Sequence, residues 1–220
     1  MYNKKLAIGK EGAAVLEIDG ICKSYAGHCV LQDVSFVLPA GHCLGIVGEN
    51  GSGKSTLLRI LAQVEKPDRG DVRWDGKSVL GDRQFLRRKL GYVPQSNDLM
   101  EDLTVRGQLK LWQNACDLSG SLPEEIMELL GIGPILKKRI RDLSGGMQRR
   151  VSIAMALMTR PEVLIMDEAT TGLDRDYCEK LLAWLEGYLS RGGRILWCSH
   201  QKQELDRLCS GCFSMDASDR

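Results

Sequence analysis

The chain has 220 residues with a formal charge of +1, enough for one large domain or a domain with an inserted lobe. At 43% hydrophobic and 27% charged residues it is an ordinary core-forming composition, and its near-neutrality excludes a global pull toward nucleic acid or an anionic membrane. Lys4 and Lys5 precede only Leu6 to Ile8 as an apolar run, so no signal peptide is expected, and no window approaches the roughly 20 apolar residues that span a bilayer. Eight scattered cysteines read as free thiols of a reducing compartment; Cys209 and Cys212 alone have metal-like spacing and lack a second pair.

In chain order, Val15 to Ile18, Val34 to Leu38 and Cys43 to Val47 are short apolar runs bounded by Gly, Pro or Asp, and are predicted as strands. Ser55 to Ala62 is predicted as a helix opening on a glycine turn. Asp71 to Trp74 and Tyr92 to Val93 are further strand candidates, and the basic stretch Arg83, Arg87, Arg88, Lys89 reads as a solvated helix face. From Leu99 to Asp142 the period becomes helical (Leu109, Leu111, Trp112, Ile126, Met127, Leu129, Leu130), broken by Gly120, Pro123 and Gly131, as in an inserted helical lobe. Lys137, Lys138, Arg139 and Arg141 form a second basic stretch, again read as solvated. A helix is expected over Gly145 to Thr159, stopped by Pro161, then a buried strand over Val163 to Met166. A helix over Asp174 to Leu189, a strand over Arg194 to Cys198 and a short helix over Gln201 to Leu208 complete an alternation that implies a mostly parallel sheet with helices on both faces.

Gly48, Glu49, Asn50, Gly51, Ser52, Gly53, Lys54 and Ser55 fit the phosphate-loop pattern G-x-x-x-x-G-K-[ST], with Thr56 next in the helix. Glycines let backbone N–H groups converge on phosphate, Lys54 reaches the terminal oxygens, Ser55 offers a hydroxyl to Mg²⁺, and the helix adds its positive end. Val163 to Met166 runs into Asp167 and Glu168. Alone, an apolar strand ending in two acids is as well explained by structure; after a phosphate loop, Asp167 is placed to hold Mg²⁺ and Glu168 to orient or deprotonate a water. Leu143-Ser144-Gly145-Gly146 is a second glycine turn at a helix start, where Ser144 is a good N-cap.

With Met147-Gln148 after it, that last string matches the signature sequence of the ABC transporter ATP-binding subunits, which the chain resembles from about residue 16 to 215. The resemblance implies an α/β fold: a P-loop NTPase with a mostly parallel central sheet, an antiparallel β subdomain near the N-terminus and an inserted helical subdomain. It implies one ATPase domain, with 1–14 as lead-in, 15–98 and 160–220 as core, and 99–159 as the helical subdomain. It also implies that Ser144, Gly145 and Gly146 bind ATP held by a second copy or a homologous subunit, and that Leu173-Asp174 crosses that interface. Tyr25 matches the residue that stacks on adenine, though a core tyrosine is the other reading. Gln95 matches the glutamine that touches Mg²⁺ and the attacking water, Ser96 to Thr104 the part facing a separate multi-span membrane permease, and His200 the γ-phosphate histidine; a strand-end histidine is otherwise usually structural. Glu168, His200, Lys54 and Gln95 are the expected catalytic set, and Ser55, Gln95 and Asp167 the expected Mg²⁺ set.

Two features depart from the pattern. Ala169 stands where the family usually has proline, and Cys209 to Asp219 matches the usual tail poorly, so that no C-terminal regulatory domain is expected. Gly145-Gly146-Met147-Gln148-Arg149-Arg150 and Thr170-Thr171-Gly172-Leu173-Asp174 look most like the drug- and antibiotic-export branch. The expectation is an ATPase, on the cytoplasmic face of a prokaryotic membrane, with no nucleic-acid partner. A soluble relative acting on ribosomes or DNA is the alternative, against which stand the single phosphate loop and the absence of sustained heptads. A phosphate-loop kinase or nucleotide switch would have no use for Leu143 to Gly146.

Overall fold

The computed structural model describes residues 15–216. It contains two sheets. The first is antiparallel, built from β1 (Leu16–Tyr25), β2 (His28–Leu38), β4 (Arg69–Trp74) and β5 (Lys77–Ser78) in the order β2-β1-β4-β5. The second is wholly parallel, with β6 (Leu90–Val93), β7 (Val163–Asp167), β8 (Arg194–Cys198), β3 (Cys43–Val47) and β9 (Gly211–Ser214) in the order β6-β7-β8-β3-β9.

The central strands β7, β8 and β3 are largely apolar because both faces are covered, with Arg194 buried at the start of β8 and Asp167 at the end of β7. Side chains alternate between two cores. Leu164, Met166, Ile195 and Trp197 point to one, shared with the helices α5 (Gly145–Met158) and α6 (Arg175–Ser190). Val163, Ile165, Leu196 and Cys198 point to the other, shared with α1 (Lys54–Leu61) and the antiparallel sheet. Between β6 and β7 lie α3 (Val105–Ala115), α4 (Glu124–Leu129), two short 3₁₀ turns and α5. Here Leu109, Ile126, Met127 and Leu130 are buried as their spacing predicts, whereas Leu111 is 44% exposed.

Several bounds differ from the sequence reading. The run Val15 to Ile18 is the start of a longer strand that bends through register shifts on its way to Tyr25, and Val34 to Leu38 is the second half of β2. The strand β9 lies in a tail with no strand signal of its own and closes the sheet edge against β3. The basic stretch at 83–89 contains α2 (Arg83–Arg88), capped by Asp82, whose carboxylate accepts from Gln84 N and Phe85 N. Solvation describes only part of that stretch, since Lys89 Nζ sits 5.0 Å from the Trp74 ring centroid. All eight cysteines are free, and Cys43 Sγ lies 3.4 Å from Cys209 Sγ.

Candidate functional site

Four parallel neighbours, β6, β7, β8 and β3, end at one edge of the sheet, where ligands of open α/β sheets bind. Beyond β3 comes the loop 48–53, beyond β6 Pro94 and Gln95, beyond β7 Glu168, and beyond β8 Ser199 and His200. Topology therefore gathers residues that lie up to 152 positions apart in sequence, from Gly48 to His200.

The loop 48–53 takes its shape from glycine. Gly51 and Gly53 have φ of +85° and +95°, and a Cβ on Gly53 would lie 2.9 Å from Leu31 and 3.1 Å from the Val30 carbonyl oxygen. Lys54 is buried, and its ammonium donates to the carbonyls of Gly48 and Glu49, 2.8 Å each, which curls the loop around a positive charge. Ser52 Oγ is buried in this loop without a hydrogen-bond partner. A phosphate would take up both the loop N–H groups and that hydroxyl, so the residues present fit a nucleotide triphosphate.

Asp167 ends β7, 1% exposed, and its Oδ1 has no partner. Its charge is felt nearby: burial, and then Asp167, push the Cys198 thiol up to about 12 and the Tyr92 hydroxyl up to about 12. An unmet buried carboxylate oxygen is costly, and a divalent cation is the ligand whose charge and oxygen preference match it. Asp167, Ser55 and Gln95 line one cavity of about 650 Å³, so the three residues expected at Mg²⁺ share a space.

Glu168 is 19% exposed at its side chain and has φ +50°, a left-handed turn that costs a non-glycine residue roughly 1–3 kcal/mol. Its Oε1 lies 3.2 Å from His200 Nε2 and accepts from Gln95 Nε2 at 3.4 Å, and its Oε2 accepts from Thr171 Oγ1 at 3.4 Å. Glu168, Gln95 and His200 are thus brought together. The histidine is itself bracketed: Ser199 Oγ donates to the buried Glu204 at 2.6 Å and accepts from Gln201 N at 3.0 Å.

Ser144 and Asp174 are different. Both are exposed N-caps, of α5 through Met147 N at 3.3 Å and of α6 through Tyr177 N at 3.0 Å. Among the described residues, no hydrogen bond or ion pair joins either to the 48–55 loop. Gly146 has an intramolecular reason to be glycine, since a Cβ there would lie 2.5 Å from the Gly172 carbonyl oxygen. Tyr25 is 40% exposed, which rules out the core reading; its hydroxyl donates to Glu65.

Sequence reasoning missed Arg149. Only 2% exposed, it donates to the carbonyls of Ala169, Asp167, Glu168, Pro94 and Gln95 and to Asn97 Oδ1. Burial lowers its pKa from the usual arginine value, opposed by the charges of Asp167 and Glu168. The available signal was α5 itself, apolar between Val151 and Met158 but for Ser152, which marks a buried helix whose arginines are buried with it.

Comparison with known proteins identifies the family. The profile of the family described as "ABC transporter" matches residues 31–171. The "Nod factor export ATP-binding protein I" of Paraburkholderia xenovorans (strain LB400) is 36% identical over 200 residues, covering 89% of this chain and 66% of that protein. The protein of the same name from Rhizobium johnstonii is 35% identical, covering 95% of this chain and 68% of that one. The chain thus spans about two thirds of the length of these relatives. Among solved structures, an ATP-binding subunit of an ABC transporter superposes with TM-score 0.82 at 28% identity, covering 91% of this chain and 85% of that one. A dimeric bacterial ABC transporter cassette gives 0.78 at 25% identity, covering 91% and 94%. A family profile matched over more than half the sequence, and relatives of this identity aligned along nearly all of it, show that the chain belongs to the ABC transporter family as an ATP-binding member.

Proposed function

We propose that the chain is the ATP-hydrolysing subunit of an export system, working in pairs beneath a separate membrane permease. The observation that carries this is the split between two half-sites. Lys54, Asp167, Glu168, Gln95 and His200 converge at one sheet edge, while Ser144 is exposed and unconnected to them. A helix N-terminus with free N–H groups is an anion site in waiting, and a second copy placed head to tail would bring it to the triphosphate.

In this reading the loop 48–55 and Thr56 hold the phosphates, Tyr25 offers its exposed ring to the base, and Lys54 bears on the transferring phosphoryl group. Mg²⁺, held by Ser55, Asp167 and Gln95, would neutralise charge on the phosphate oxygens. Glu168 takes the proton of the attacking water, while Gln95 and His200 fix the carboxylate's direction and the space beside the γ-phosphate. ATP favours the closed pair because only there are both half-sites filled, and loss of the γ-phosphate removes the bridge.

The chain is read as a single ATPase domain, with 99–159 moving as a helical lobe against the core. Motion would leave the site through residues 95–104, beside the cavity of about 650 Å³ and the exposed Met100 and Val64. That apolar rim suits a permease segment at the cytoplasmic membrane face. Among the described residues no helix is long and apolar enough to cross a membrane. The relatives' names speak of Nod factor export, and export is the direction proposed here; cargo contacts would lie in the permease.

Ser144→Arg tests the pairing. It should abolish ATP turnover while leaving nucleotide affinity of the single chain unchanged, read by phosphate release and by fluorescent-nucleotide titration. Loss of binding by the isolated monomer would place Ser144 in its own chain's site and sink the two-copy arrangement.

A further inference from the structure

We propose that Arg149 is a positioning residue that ties the helix starting at Ser144 to the turn carrying Glu168. The inference rests on the reading of Glu168 as the base and deepens it. Arg149 lies in the second turn of α5, five residues after Ser144, and its guanidinium reaches two separate loops. Nε donates to Ala169 O at 2.9 Å, and Nη2 donates to Asp167 O and Glu168 O at 2.8 Å each. Nη1 donates to Pro94 O, and at 3.4 Å to Gln95 O and Asn97 Oδ1. Three consecutive carbonyls of the β7 turn and two of the β6 turn therefore converge on one side chain.

That convergence answers a problem posed by Glu168. Its left-handed backbone at φ +50° is unfavourable for a residue with a Cβ and persists only if its surroundings over-determine it. Arg149 donates to the carbonyls on both sides of that strained residue and to its own, each at 2.9 Å or less. Five donors in a planar fork can satisfy this fan, whereas three donors on a compact lysine ammonium cannot reach it. Because the fork is rooted in α5, any displacement of α5 on docking Ser144 against a nucleotide moves the Glu168 and Gln95 backbones with it. Ala169 fits the same account: it is fully buried with its carbonyl on Arg149 Nε, so the guanidinium stiffens a turn that lacks the family's proline.

The test is Arg149→Lys in the full chain, with Arg149→Gln beside it; whichever melts within a few degrees of wild type is assayed. At saturating ATP the turnover number should fall about tenfold or more, with KM and fluorescent-nucleotide affinity changed by less than about twofold. In a Glu168→Gln background the same substitution should cause no comparable further loss in single-turnover hydrolysis, because it acts through Glu168. Turnover within about twofold of wild type overturns the proposal, as does an equal loss in both backgrounds or a parallel loss of binding. Failure of both variants to fold also overturns it, since Arg149 is then a structural strut. Lys54→Ala separates this from the reading beneath: turnover that survives Lys54→Ala sinks the site, whereas turnover sensitive to Lys54 and indifferent to Arg149 sinks only the inference.

Discussion

Replacing Lys54 with alanine is expected to abolish measurable ATP turnover, with a fall of about 10²–10³-fold of the size seen when one preorganised donor is removed from a transition state. Two losses combine. The ammonium bridges the carbonyls of Gly48 and Glu49, so its removal frees a loop that already holds two glycines in left-handed conformations. It is also the buried cation of the loop, so its removal takes a charge-assisted donor away from the phosphates. Nucleotide affinity should fall together with turnover, because the lysine meets the phosphates in the ground state too. Phosphate release and nucleotide titration read the two effects, and wild-type turnover in the variant would refute the phosphate-loop assignment.

Glu168→Gln should behave in the opposite way toward binding. Glutamine keeps the shape and an oxygen able to accept from Gln95 and Thr171, but it cannot take a proton from water. General-base catalysis is worth about 10²–10⁴-fold, and that is the expected loss in turnover, with ATP bound as tightly as before. The result is a chain that holds ATP without consuming it. Single-turnover hydrolysis measures this directly; a loss smaller than about tenfold would move the role of base away from Glu168.

The contrast between these residues and Arg149 shows where sequence stops being legible. Lys54, Asp167 and Glu168 are found because their backbone settings are local: a glycine turn before a helix, and a strand running into two acids. The strands β3 and β8 are found to the residue because both faces are buried, and Cys43 to Val47 and Ile195 to Cys198 read as runs without a charged residue. Such locality fails for β9, whose Gly-Cys-Phe-Ser is a weak strand former made into one by pairing with β3 across more than 160 residues. It fails for β1 as well, where register shifts carry the strand past Gly20 to Tyr25. Gln95 and His200 have no local signal at all. Gln95 is an exposed polar residue after a short strand, and only the parallel order β6-β7-β8 sets it and His200 on either side of Glu168. Arg149 is the extreme case, since an arginine beside another arginine reads as surface until the carbonyls that surround it are in place.

Light scattering on the Glu168→Gln chain with ATP and Mg²⁺ tests the two-copy sandwich most directly, with the Ser144→Arg, Glu168→Gln double variant as its partner experiment. The account predicts twice the 24.4 kDa chain mass for the single variant with ATP, the single-chain mass with ADP, and the single-chain mass for the double variant under either nucleotide. A single variant that stays at one chain mass with ATP, or a double variant that pairs as persistently, would contradict it.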